Sequence, residues 1–171
     1  MPIVTTIEGR IAQVAIDRPE KRNTLSSELC KDLAREFLEL NDDTRVRSIV
    51  LCGHNNVFCA GLDIEEQLAE NTPIFNEFQK VIDALDALSK PVVAAVSGPA
   101  VSQGAAMLYH CDLVFAGEHA LFSMPGLALG QTPRYGVSLL AVKSGGYKLA
   151  AQKLLLSEPI SAAEAVAMGL V

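Results

Sequence analysis

Two short segments of this chain carry residue types that can hold a developing negative charge without a metal or a charged side chain. One runs Phe58-Cys59-Ala60-Gly61-Leu62-Asp63, the other Gly98-Pro99-Ala100-Val101-Ser102-Gln103-Gly104. Each follows an apolar run, Ser48 to Cys52 in the first case and Val92 to Val96 in the second. A buried strand that runs into a loop of small residues and then into a helix leaves the first helical amides pointing at open space. Two such amides aimed at one point stabilise an oxyanion in a water-poor site. Carbonyl chemistry is therefore the leading expectation.

The elements that must position these segments follow from periodicity. Ile3 to Ile7 and Ile11 to Ile16 flank Glu8-Gly9-Arg10, with Ala12, Val14 and Ile16 alternating, which predicts a hairpin. A polar loop, Asp17 to Asn23, follows it. Ser26 is then placed to cap a helix that carries Glu28 in its first turn and Leu29, Leu33, Phe37 and Leu40 on one face. Ile49 to Cys52 is continuously apolar, as expected of a strand covered on both faces. A helix from Ile74 to Leu88 turns Phe75, Phe78, Val81, Ile82, Leu85 and Leu88 inward, and Lys90-Pro91 ends it. Val92 to Val96 and Leu113 to Ala116 are further strands, and Gly104, Ala105 and Ala106 let the intervening helix pack close. The tail is helical, with a capping box at Ser161-Ala162-Ala163-Glu164 and a stop at Gly169. Alternating strands and helices predict an α/β fold with a mainly parallel sheet, in one domain over residues 1–171. The strand–loop–helix pattern recurs without repeating residue identities. The chain stops at Val171 where a further strand is expected to begin, so a C-terminal segment is expected to be missing.

Composition narrows the function classes. With a net charge of −6 and no basic stripe, nucleic acid is not an expected partner. Arg18, Lys21 and Arg22 form one local cationic cluster that suits an anionic ligand as well as a solvated turn. Cys30, Cys52, Cys59 and Cys111 show no metal-ligand spacing with His54, His110 or His119, so no metal site is expected. The N-terminus lacks a signal pattern and no apolar run is long enough for a bilayer, which predicts a cytoplasmic protein away from membranes. Gly98 and Gly104 do not match a dinucleotide loop. No Gly-x-Ser-x-Gly elbow surrounds Ser102, which sets a serine hydrolase aside.

With these residues in view, the sequence closely resembles the enoyl-CoA hydratase/isomerase (crotonase) superfamily. Arg18 through Asn23 is similar to the family's first loop signature, Val57 through Asp63 to its second motif, and Lys90 through Asp112 to its long signature. Phe122-Ser123-Met124-Pro125 and Leu129-Gly130-Gln131-Thr132-Pro133 follow in order. The resemblance spans essentially the whole chain. It implies a superhelix of β-β-α repeats, assembled as homotrimers or pairs of trimers (hexamers), with C-terminal helices following Val171. It also implies a coenzyme A thioester as ligand and no permanently bound cofactor.

Carried over residue by residue, the resemblance makes the N–H groups of Ala60 and Gln103 the donors to the thioester oxygen. Ala60, Gly61, Leu62 and Asp63 would line the pantetheine and adenine end, Gln103 and Gly104 would also bind substrate, and Lys21 and Arg22 would meet phosphates. The family's three glycines fall at Ser102, Gln103 and Gly104, and here only Gly104 is glycine. The two glutamates of the family's hydratases fall at Ala106 and Gly126, neither of which moves a proton. The base of an isomerase branch falls at Arg134, within Gly130-Gln131-Thr132-Pro133-Arg134-Tyr135-Gly136, and arginine does not deprotonate. The chain sits nearest that isomerase branch. Glu65, Glu66, Tyr135 and His110 are the candidate substitutes for a base, and each has a structural role as its alternative; His119 reads as a turn residue and Asp112 as structural. Arg134 also suits a carboxylated acyl group, whose decarboxylation gives an enolate without a protein base. The expected function is thus an acyl-CoA enzyme of fatty-acid metabolism, an isomerase or related lyase. The alternatives are a decarboxylase or a catalytically silent acyl-CoA-binding module.

Overall fold

The computed structural model describes residues 2–171. The hairpin forms as the alternation predicts: β1 (Ile3–Glu8) pairs antiparallel with β2 (Ile11–Ile16), from Ile3 opposite Ile16 to Glu8 opposite Ile11. Helix α1 (Ser27–Asp42) begins where Ser26 Oγ accepts the N–H of Leu29 at 3.1 Å. Its buried stripe holds the expected Leu29, Leu33, Phe37 and Leu40, widened by Cys30 and Ala34. Then come β3 (Ser48–Gly53), the short α2 (Ile64–Gln67), and α3 (Ile74–Asp86), which packs along α1. Each Leu or Phe buried between these helices and the sheet contributes roughly 1.5–3 kcal/mol of transfer free energy.

The remaining elements are β4 (Val92–Val96), β5 (Ala100–Val101), α4 (Gln103–Leu108), β6 (Leu113–Ala116), β7 (Leu121–Ser123), a 3₁₀ turn at Leu127–Leu129, α5 (Val137–Gly145), α6 (Tyr147–Leu155), β8 (Ile160–Ser161) and α7 (Ala162–Ala167). The larger sheet has the order β1-β2-β3-β4-β6, parallel from β2 onward. A second sheet has the order β5-β7-β8. Single bridges extend its pattern to earlier turns, Cys59 opposite Ala100 and Leu25 opposite Leu62. Each turn of the chain therefore gives one strand to the large sheet, one short extended piece to the second layer, and then helix. This is the crotonase-like superhelix, whose repeat lies in geometry and not in residue identity.

One expectation is corrected. The apolar strands are covered on one face only. Ile49 and Leu51 are wholly buried while Val50 and Cys52 are half-buried, and Val92, Ala94 and Val96 alternate in the same way with Val93 and Ala95. On the edge strand β6, Leu113 and Phe115 are exposed. A run of apolar residues here therefore records one buried face and one more open one.

The C-terminal part is held by charge as well as packing. Ser161 and Glu164 form the predicted capping box, and Gly169 at φ 68° ends α7. Lys153, buried on α6, donates to Glu164 Oε1 at 2.7 Å and to the carbonyl of Pro159 at 3.2 Å. The Lys153 ammonium, helped by the Ser161 amide and hydroxyl, lowers the Glu164 carboxyl from 4.5 to about 2. A depressed carboxyl stabilises the fold above its unfolded value and loses that contribution as pH falls through the folded one. We expect thermal stability to fall between about pH 4.5 and pH 2. Lys153→Met flattens that dependence, as melting curves across the interval would record. Among the described residues no helix is long and apolar enough to cross a membrane.

Candidate functional site

The two loops singled out by their small residues lie side by side because the second layer zips them together. Phe58 and Cys59 both donate their N–H groups to the carbonyl of Pro99, at 3.0 and 3.3 Å, and Val101 donates to the carbonyl of Cys59 at 2.9 Å. On its other side the first loop is tied to residues 22–25: Ala60 donates to Arg22 (3.2 Å), Leu25 to Gly61 (2.8 Å), and Asp63 to Leu25 (2.8 Å). Asn23 anchors that neighbour. Fully buried at φ 57°, it accepts the Arg18 N–H on Oδ1 at 2.9 Å and donates through Nδ2 to the carbonyls of His54 (3.0 Å) and Val57 (2.7 Å). In the sequence Asn23 stands only as the last residue of a polar loop and of the first motif. Its loop position does hint at left-handed backbone, which asparagine tolerates.

These bonds correct one assignment. The N–H of Ala60 is committed to the Arg22 carbonyl and is not available as an oxyanion donor. The N–H of Gly61 faces the Cys59 sulfur at 3.4 Å, and that of Asp63 is used by Leu25. The N–H of Leu62, like that of Gly61, has no backbone acceptor among the described residues; it points across to α4, at Gln103 Oε1, 3.4 Å away. Alternation explains this. Leu62 sits in a bridge to Leu25 made by its two neighbours, so its own N–H projects to the opposite side, toward α4. The miss was therefore two residues along a strand-like segment.

The second amide named from sequence is that of Gln103. Gln103 is the first residue of α4, and its N–H has no acceptor among the described residues. Ser102 before it holds φ 54° and ψ −116°, a conformation fixed by its N–H on Ser123 (2.7 Å) and its carbonyl under Ala106 (2.9 Å). Helix α4 comes so close to the first loop that a Cβ on Gly104 would lie 2.3 Å from the Cys59 carbonyl oxygen. Glycine is required there by contact.

A cavity of about 50 Å³ opens beside Gln103. Its lining brings together Ser102, Gln103, Ala106, Gly126, Arg134 and Tyr135, whereas Ala60, Gly61, Leu62, Asp63 and Gly104 are not part of it. None of its lining residues is acidic. Burial pushes the Tyr135 phenol up to about 12, partly offset by Arg134, and its hydroxyl donates to the Phe75 carbonyl at 3.3 Å. The Arg134 guanidinium lies 4.7 Å from the centre of the Phe75 ring, and among the described residues it has no acidic partner within 4 Å.

The other candidates have structural partners. Asp63 is buried, pairs with Arg18 at 3.1 Å and accepts the Glu65 N–H that starts α2. Glu66 accepts both the N–H and the hydroxyl of Ser27, at 2.8 and 2.6 Å. Glu65 pairs with Lys21 at 3.0 Å, which raises the lysine above its ordinary value. That pair is exposed and screened by solvent, so it holds Lys21 only weakly. Arg22 is exposed, and its backbone rather than its side chain joins the ladder. His110 lies between Asp86 (2.8 Å) and the Tyr135 carbonyl (2.9 Å), outside the cavity lining. Asp112 accepts the Val92 N–H at 2.7 Å and registers β4. Buried Cys59 is pushed up to about 12 and is inert as a nucleophile.

Comparison with known proteins agrees with this architecture. The family model for enoyl-CoA hydratase/isomerase matches residues 6–171. The short-chain-enoyl-CoA hydratase of Clostridium acetobutylicum is 34% identical over 174 residues, covering 99% of this chain and 67% of that protein. The 2,3-dehydroadipyl-CoA hydratase of Escherichia coli is 32% identical over 171 residues, with 99% and 67% covered. Among solved structures, an enoyl-CoA hydratase/isomerase from Pseudoalteromonas atlantica superposes with a TM-score of 0.93 at 32% identity, covering 100% of this chain and 68% of that one. The OdaA protein of Pseudomonas aeruginosa gives 0.92 at 35%, with 99% and 69% covered. This chain thus spans about two thirds of the relatives it matches. On its fold, its ordered motifs and these matches, the chain belongs to the enoyl-CoA hydratase/isomerase family.

Proposed function

We propose that this chain binds an acyl-CoA and polarises the thioester carbonyl between the N–H groups of Leu62 and Gln103, so that an enolate forms at the α carbon. The observation that carries this reading is the pair of amides left without backbone acceptors on two loops that the second sheet locks together. Donors preorganised in this way strengthen as the oxygen gains charge and cost no rearrangement. The Ala60 carbonyl, without a donor among the described residues, is the backbone group this loop leaves for the pantetheine arm, with Asp63 holding the loop. Lys21 and Arg22 face the phosphates, Lys21 leaving Glu65 to do so.

Proton transfer decides between reactions. Hydration through two carboxylates needs groups that Ala106 and Gly126 do not supply. Tyr135, raised to about 12, stays protonated at neutral pH and is no base. The reaction that fits is loss of carbon dioxide from a carboxylated acyl thioester. Arg134 orients the carboxylate; the bond from the α carbon to it breaks, the electron pair passes into the enolate, and a solvent proton then adds to the α carbon. Isomerisation through the same enolate is the second reading, favoured by the Gly130-Gln131-Thr132-Pro133 frame, of which Gln131, Thr132 and Pro133 line the cavity.

The test is to incubate the protein in heavy water with saturated, 2-enoyl-, 3-enoyl- and malonyl-type CoA thioesters and weigh the products. The expected result is a decarboxylated product with deuterium at the α carbon, slowed on the order of 10²-fold in Arg134→Ala by loss of orientation. A shifted double bond would favour the isomerase instead. Binding with neither change would leave a silent acyl-CoA module.

A further inference from the structure

The amide of Leu62 is not empty-handed. The carboxamide of Gln103 folds back across the gap between the loops, and its Oε1 stands 3.4 Å from the Leu62 nitrogen. That oxygen is also 3.2 Å from where a Cβ on Gly61 would be, at the crossing of the two segments. Gln103 is 6% exposed and lines a cavity of about 50 Å³.

A carboxamide oxygen is a planar sp² acceptor, the same kind of atom as a thioester carbonyl oxygen. We propose that the Gln103 side chain is a built-in competitor for the oxyanion site: in the resting protein it occupies the place of the thioester oxygen and must swing away before substrate is polarised. This rests on the acyl-CoA reading above and adds to it a device by which one residue supplies both a donor, its backbone N–H, and the plug that blocks the pair. The device has a uniform consequence. Any ligand that uses both amides must first displace the carboxamide, so the plug lowers the affinity for substrate and for the charged intermediate by the same factor, the fraction of protein in which the site is open.

Titration calorimetry with butyryl-CoA and free coenzyme A, on the wild type, Gln103→Ala and Gln103→Glu, tests this. The backbone donors are retained in all three. Gln103→Ala is expected to bind butyryl-CoA on the order of tenfold more tightly, the equivalent of one freed hydrogen bond, with free coenzyme A unchanged. Gln103→Glu, with a charged acceptor on the Leu62 N–H, is expected to bind the thioester on the order of tenfold more weakly. Hydrogen exchange at the Leu62 amide should quicken in Gln103→Ala, and an unchanged rate would overturn the contact without any ligand. Equal thioester affinities in all three proteins, each still preferring butyryl-CoA to free coenzyme A, would overturn the plug and leave the acyl-CoA reading standing. If no protein distinguishes the thioester from free coenzyme A while the Leu62 amide does respond, the acyl-CoA reading fails and the competitor role with it.

Discussion

Gly104→Ala is expected to lower the melting temperature by about 10 °C and to remove thioester polarisation almost completely. The added Cβ would lie 2.3 Å from the Cys59 carbonyl oxygen and 2.9 Å from the Cys59 Cβ. Backbone cannot rotate out of the way as a side chain can, so α4 must retreat from the first loop. Overpacking of this kind costs typically about 1–3 kcal/mol, and at the upper end, with about 2–4 °C per kcal/mol for a chain of this size, the shift follows. The functional loss is larger. The retreat separates the Gln103 and Leu62 amides by something near an ångström, and misplacement on that scale costs on the order of 10²-fold in rate. Calorimetric melting, read beside butyryl-CoA affinity, checks both halves. A normal melting temperature would show that the two loops are not in the contact described.

The second large effect is expected at Asn23. Asn23→Ala removes an acceptor from the Arg18 N–H and donors from the His54 and Val57 carbonyls, all in a fully buried position. Buried groups left without partners cost about 1–3 kcal/mol each, less where the loop relaxes to admit water. Alanine is also a poorer occupant of φ 57° than asparagine. We expect a loss of about 3 kcal/mol, or about 6–12 °C in melting temperature. Because Arg22 next door holds the Ala60 N–H, the same variant should bind acyl-CoA more weakly. Asn23→Asp should recover only part of the loss, since it keeps the acceptor and loses the donors. Urea titration of the three proteins would rank them, and equal midpoints would refute the anchoring role.

Much of this was legible in the residues. Ser26 and the Ser161–Glu164 pair announced their helices because capping is local chemistry. Helix α1 and α3 showed their buried faces through a 3.6-residue period that extends over several turns. The second sheet was not legible. Its strands β5 and β8 have two residues each, too few for any period to register. The one-sided burial of β3 and β4 was hidden for a different reason: apolar residues occupy the open face as well, so composition does not tell the faces apart. At the site, small residues mark both loops, but which N–H of the first loop faces α4 depends on pairing with a distant segment: Ala60 is bonded to Arg22, and Leu62 faces across. The plug of Gln103 on Leu62 depends on a side chain reaching between segments 41 residues apart, and no local pattern encodes that.

The ladder that joins residues 22–25, 59–63 and 99–103 also sets a parity rule on the length of this part of the chain. Backbone groups in an extended segment face left and right by turns, and it is this turn-taking that sends the Leu62 N–H toward α4 while Asp63 keeps its bond to Leu25. Adding one residue between Cys59 and Leu62 would exchange the two directions and aim a carbonyl oxygen, not an N–H, at the reacting atom. Adding two would restore the sign of the dipole with a displaced side chain. Length in this loop is thus counted in pairs, and the polarity of the pocket is written in whether that count is odd or even.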